Sequence, residues 1–408
     1  MVISQHPLPK DQSTTQPAHP QILTKNFVLA FAGHFCTGMA FWPYILLPLF
    51  LGNLGYGSFM IGVLMGIASV SGVLVRLWVG SELDRRGRKP LLIGAATLFV
   101  IVNLGYIFVT TSGPLIYALR LLHGLSVGPL FAAIMTFTAD IIPEKRRTEG
   151  LAYFGIAGHL SGALGIILGE WLIQIGGFKA LFTSGAIMSL SAVIFFALLT
   201  ERRFEQRIES SQSVWKTITN KNLVGLWMVS LAFSLGLASY FTFLKPFAES
   251  VSLKNISFFF TTYSSIAVFI RIFGARLPQK IGEAFVLTFA LGCLATGTFL
   301  IVYIPNIWGL MLTGALCGIG HGYGFPILSS VIIARTDDKT RGSVITFYTL
   351  LFDVGFLIGA PLWGLLVSLA GYKVMFAIAS TVVLIGTILA PRSIVQNDYT
   401  QTTIYQKK

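Results

Sequence analysis

Residues 80–90 read Gly80-Ser81-Glu82-Leu83-Asp84-Arg85-Arg86-Gly87-Arg88-Lys89-Pro90, a compact loop of acid, base and glycine between two apolar stretches each long enough to cross a bilayer. Gly80 permits close approach of two helices. Asp84 can pair with a neighbouring cation or cap the N-terminus of a facing helix, and Gly87 lets the chain turn before the basic pair Arg88 and Lys89. An ordinary basic turn would account for Arg85 to Lys89, but it would not require two glycines and an aspartate at these spacings.

Outward from that run, composition sets the class. The 408 residues are 54% hydrophobic and 11% charged, and their mean hydropathy of +0.76 belongs to an integral membrane protein rather than a soluble domain. Windows of about 20 apolar residues, the length of a span, fall at 27–51, 59–80, 91–111, 114–139, 150–175, 180–200, 222–247, 256–276, 285–304, 307–334, 343–369 and 373–391. The expected fold is therefore all-α, with twelve transmembrane helices. The turns at 52–58, 111–113 and Pro305-Asn306 carry no charge. Bases gather instead at Arg85 to Lys89, Lys145 to Arg147, Arg202 to Arg207, Arg276 with Lys280, and Arg335 to Arg341. This alternation places both termini in the cytoplasm. It also explains the net charge of +13 as topology, so no nucleic-acid partner is expected.

Residues 1–26 are polar, hold four prolines and lack the apolar core of a cleavable signal, so they read as a disordered cytoplasmic tail. The long hydrophilic stretch 201–221 divides a six-helix bundle at 27–200 from a second at 222–391, and 392–408 forms another cytoplasmic tail. The halves echo one another. Arg76, Gly80 and Leu83 end the second span, while Arg271, Gly274 and Leu277 end the eighth. Such repetition suits a transporter built from two pseudo-symmetric bundles with its site between them. Cys36, Cys293 and Cys317 all lie in spans, which argues for packing rather than a disulfide framework, and no histidine pair has metal-ligand spacing. No metal or cofactor is expected.

The 80–90 run resembles the Gly-x-Leu-x-Asp-Arg-x-Gly-Arg-Lys signature between helices 2 and 3 of the major facilitator superfamily, departing where Glu82 replaces the leucine. Leu119-Arg120-Leu-Leu-His123-Gly124 is similar to a second signature, Arg-x-x-Gln-Gly, of proton-coupled members, with His123 in place of glutamine. Gly158, Gly162, Gly165 and Gly169 resemble the glycine ladder of antiporters but lack its Gly-Pro pair. The resemblance implies a monomeric, non-enzymatic carrier in a bacterial inner membrane, moving a small organic solute by alternating access. Proton-coupled efflux of a drug, sugar or secreted metabolite such as a siderophore is the leading expectation. A proton-driven uptake permease for a sugar or organic anion is the alternative.

Arg120 and Asp353 stand inside spans, where a charge costs at least about 2.5 kcal/mol and marks function by default. With His123 they are the expected proton-coupling groups, although Arg120 can instead pin its helix to a carbonyl cluster, and Asp353 can equally be the fixed counter-ion of Arg271 or another buried base. The resemblance implies a cytoplasmic gate of Gly80, Asp84, Arg85, Gly87, Arg88, Lys89 and Asp140, with Arg88 paired to Asp140 and Asp84 meeting the start of helix 11. In such a fold helices 1, 4, 7 and 10 line the cavity. His34, Trp42, Tyr44, Tyr240, Phe241, His321 and Tyr323 are then the expected substrate contacts. Glu170, beside Trp171, reads as an ordinary interfacial acid.

Overall fold

A computed structural model describes residues 21–143, 146–201, 221–336 and 341–395. The first tail up to residue 20, the linker from 202 to 220 and the chain after 395 lie outside the described residues. Those described contain no strand. Ten of their helical runs are long and apolar enough to cross a membrane.

Two of the ten are too long for one crossing. Arg147–Ala197 has 51 residues, about 76 Å of helix at 1.5 Å per residue, against a hydrocarbon core of about 30 Å. Gly177 breaks it with φ 65° and ψ −165°, and Gly371 breaks Arg341–Val395 with φ 78°. These are left-handed conformations that only glycine adopts at little cost. Dividing both runs yields twelve segments: α1 Lys25–Asn53, α2 Ser58–Arg86, α3 Arg88–Ile107, α4 Pro114–Ile141, α5 147–176, α6 178–197, α7 Lys221–Ser250, α8 Ser257–Gly274, α9 Glu283–Leu300, α10 Ile307–Ala334, α11 341–370 and α12 372–395.

The boundaries differ from the sequence reading in one informative place. The second span was expected to end at residue 80, yet α2 continues through Arg86. Gly80, Asp84 and Arg85 therefore belong to its last turns rather than to a loop. The helix stops where Gly87 takes φ 86° and α3 begins at once. A charged, helix-forming tail costs nothing once it emerges from the hydrocarbon, so hydropathy ends before the helix does.

Helices α1 to α6 pack among themselves, as do α7 to α12, and the two sets meet along α2 with α11 and α5 with α8. Large apolar side chains such as Phe108, Phe273, Trp308 and Leu369 point outward, as a lipid-facing surface requires. Two local irregularities shape the interior. Pro43 cannot donate a backbone hydrogen bond, and around it α1 tightens to a 3₁₀ segment, Trp42–Leu46. The end of α8 widens to a π-helix over Ile270–Gly274.

Candidate functional site

A cavity of about 360 Å³ lies between the two sets of helices. Its wall is largely apolar and aromatic, with Arg120, His123, His321, Asp353 and Ser69 supplying the polar groups. The 3₁₀ segment of α1 brings Trp42 and Tyr44 to that wall. Trp42 donates to the Gly158 carbonyl of α5 at 3.1 Å, and its ring lies 6.0 Å from that of Phe241 on α7. One aromatic pair thus closes the seam between the halves.

All three expected proton-coupling residues meet at this cavity. Arg120 Nε donates to Leu64 O at 2.7 Å and Nη2 to Met65 O at 2.8 Å, so its guanidinium ties α4 to α2 through backbone carbonyls. That is the pinning arrangement the sequence allowed, set into the cavity wall. Gly124 lets it form, because a Cβ there would stand 1.9 Å from Ala68 O of α2. His123 is buried with its ring 4.2 Å from that of Tyr44. Asp353 faces them from α11.

Of the expected substrate contacts, Trp42, Tyr44, Phe241 and His321 line the cavity. His34, Tyr240 and Tyr323 do not. His34 stacks on Phe154 behind Phe131, Tyr240 is buried against Phe259, and the Tyr323 hydroxyl donates to Gly274 O at 3.3 Å. Helix membership alone placed these three, and each is taken up instead by contact with neighbouring residues. The structure adds walls from α2 and α11, including Met65, Ser69, Phe352 and Phe356. The spacing of Phe352 and Phe356 around Asp353 was the available signal for them.

At the end that carries the basic loops, Arg88 Nε lies 3.0 Å from Asp140 Oδ2, both partly buried. The expected pair is present, but it joins α3 to α4 within one half and so cannot by itself lock the halves together. Glu201, which drew no notice in the sequence, accepts from the backbone N–H of Arg88 at 2.6 Å and of Lys89 at 3.0 Å, capping α3. Lys89 Nζ donates to Leu199 O at 2.8 Å. The side chains of Asp84 and Arg85, and those of Arg341 and Ser343, lie outside those described.

The far end holds a contact between the halves that corrects the reading of Glu170. Rather than resting at the interface, Glu170 is buried. Its carboxylate accepts from Ile256 N at 2.7 Å and Ser257 N at 3.1 Å, an anion at the N-terminus of α8. Lys245 of α7 stands 3.6 Å away and also pairs with Glu249 at 2.8 Å. Nearby, α2 and α11 touch so closely that a Cβ at Gly62 would lie 2.1 Å from Ala360 O. No sequence signal joins Glu170 to partners 86 residues later.

A profile described as the Major Facilitator Superfamily matches residues 27–308 and 250–403. The chain is 24% identical over 374 residues to the uncharacterized MFS-type transporter YhhS of Escherichia coli K12, covering 89% of this chain and 90% of that protein. It is 21% identical over 373 residues to the staphylopine export protein of Staphylococcus aureus Mu50, covering 85% and 90%. The crystal structure of the human organic anion transporter MFSD10 superposes with a TM-score of 0.69 at 19% identity, covering 91% of this chain and all of that one.

Proposed function

The chain belongs to the major facilitator superfamily, and from that membership we propose that it is a proton-coupled exporter of a small amphipathic organic solute, working as a monomer in a bacterial inner membrane with both termini cytoplasmic. The observation that carries the reading is the cavity between the halves, with a carboxylate, Asp353, on a largely apolar and aromatic wall. Such a wall takes up an amphipathic solute by burial. A carboxylate in low-dielectric surroundings readily exchanges its charge for a proton. The joined far end supports a form whose cavity faces the cytoplasm, the loading state of an exporter. Similarity to the staphylopine export protein supports the same direction.

In alternating access the two sets of helices rock about the cavity. On this reading the Glu170 contact and the α2–α11 approach release as Asp84, Arg85, Gly87, Arg88, Lys89 and Asp140, with Gly80 at the helix contact, close the cytoplasmic side. Arg120 keeps α4 attached to α2 through the motion, and His123 stands beside it as a second proton acceptor. In inside-out vesicles carrying a pre-formed pH gradient, added substrate should discharge the gradient through the wild-type protein. Asp353→Asn should stop that proton movement while substrate still binds. Substrate movement by the wild type with no dependence on the gradient defeats proton coupling.

A further inference from the structure

Arg271 lies near the basic end of α8, inside a membrane span and within the π-helical segment Ile270–Gly274. It is half-buried. Among the described residues nothing accepts a hydrogen bond from its Nε, and no carboxylate stands within ion-pair distance of it. Arg120 is different, since two carbonyls satisfy its guanidinium. The sequence allowed Arg271 to be the counter-ion of Asp353, but no ion pair joins it to that residue. An intramembrane guanidinium without an anion is costly, and such residues mark binding pathways.

Its surroundings are shaped to admit an anion rather than to neutralise the charge. The guanidinium reaches across the seam between the halves toward α5, where Gly155 presents no side chain. A Cβ built there would lie 3.7 Å from Arg271 Nη1. His159 of α5 and His321 of α10 both lie within reach of its charge, and His321 is hydrogen-bonded to Tyr263. The same His321 is part of the cavity wall. A solute whose body rests among the aromatic residues of the cavity can therefore extend an anionic end past His321 to Arg271. A planar, always-charged guanidinium is suited to a carboxylate, which it can bind through two parallel hydrogen bonds.

We propose that Arg271 is the recognition point for an anionic group of the cargo, so that the transported class is organic anions with an apolar or aromatic body. Calling the bound anion a cargo rests on the transporter reading, but the binding itself does not, and the test measures binding without transport.

The probes are 1-naphthoate and its neutral isostere 1-naphthamide, measured by equilibrium dialysis on the full-length protein in phosphatidylcholine nanodiscs, where no anionic headgroup competes. Wild-type protein should bind the carboxylate at least about tenfold more tightly than the amide, the order of one charge-assisted contact. Arg271→Gln should erase the preference, and Arg271→Lys should keep part of it. Without ligand, Arg271→Gln should melt no lower than wild type, which a merely structural counter-charge would not allow. Gly155→Leu keeps the charge but fills the space beside it, and should weaken naphthoate while leaving naphthamide unchanged. Equal binding of the two probes by the wild type, binding of neither, or a preference that survives both Arg271→Gln and Gly155→Leu overturns the proposal.

Discussion

Arg120 brings a full positive charge to the cavity wall, and two carbonyls of α2 receive it. Hydrogen bonds to a charged group contribute about 1.5–3 kcal/mol each. Arg120→Ala should therefore lower the melting temperature of the detergent-purified protein and weaken transport together. Arg120→Lys should recover little, because a single ammonium cannot span both carbonyls as the guanidinium does. A lysine variant with wild-type stability and transport would show that charge alone matters there. Single residues of this kind were legible in the sequence, because a charge in an apolar span is conspicuous wherever it falls. Arg120 and Asp353 were found that way, His123 by its place in the second signature, and the three converge on one cavity. The direction in which a side chain leaves its helix is not legible without the packing, which is why His34, Tyr240 and Tyr323 were expected at the cavity and lie elsewhere.

Helices approach one another in two different ways, and glycine serves both. Gly124 brings α4 against α2 inside one half, whereas Gly62 brings α2 against α11 across the halves. Valine at each should have different consequences. Gly124→Val should reduce the yield and melting temperature of folded protein, since over-packing a fixed contact costs about 1–3 kcal/mol. Gly62→Val should leave the fold intact and part the far ends. Ser69→Cys in a background lacking Cys36, Cys293 and Cys317 then becomes reactive to an impermeant maleimide from outside the cell. Unchanged labelling in Gly62→Val would mean that this contact does not close the far side. Helix number was readable from apolar length, and the gaps between windows at 175–180 and 369–373 bracket the breaks at Gly177 and Gly371. The end of α2 was not readable, because the charged turns Gly80 to Arg86 have no hydropathic signature.

At the scale of the whole molecule, the two ends are held by different chemistry. The far end is joined between halves by Glu170 on the N-terminus of α8 and by Lys245, a buried arrangement whose disruption costs about 3–5 kcal/mol. That is enough to redistribute two states separated by a few kcal/mol. Glu170→Ala should accordingly raise outside labelling of Ser69→Cys and hasten departure from the inward-facing form. Labelling equal to that of the parent would remove Glu170 from the gate. Orientation is tested separately. Reporter fusions after Gly52 and after Arg88 should fall on opposite sides of the membrane, and finding both on one side would remove the arrangement of spans described above. The global architecture was legible because it repeats the same simple pattern of apolar length and alternating basic turns. The gate was not, because Glu170 acquires its meaning only from partners in the other half of the chain.

The reversals at Gly177 and Gly371 bear on how the protein is made. At both places one span follows the other with a single non-helical residue between them, so the connection that has to cross the bilayer during synthesis is short and carries one exposed lysine, Lys179 or Lys373. The α5–α6 and α11–α12 pairs can enter the membrane as ready-made helical hairpins, their backbone groups already satisfied. Each half then ends on a pair of this kind, α5–α6 in the first and α11–α12 in the second.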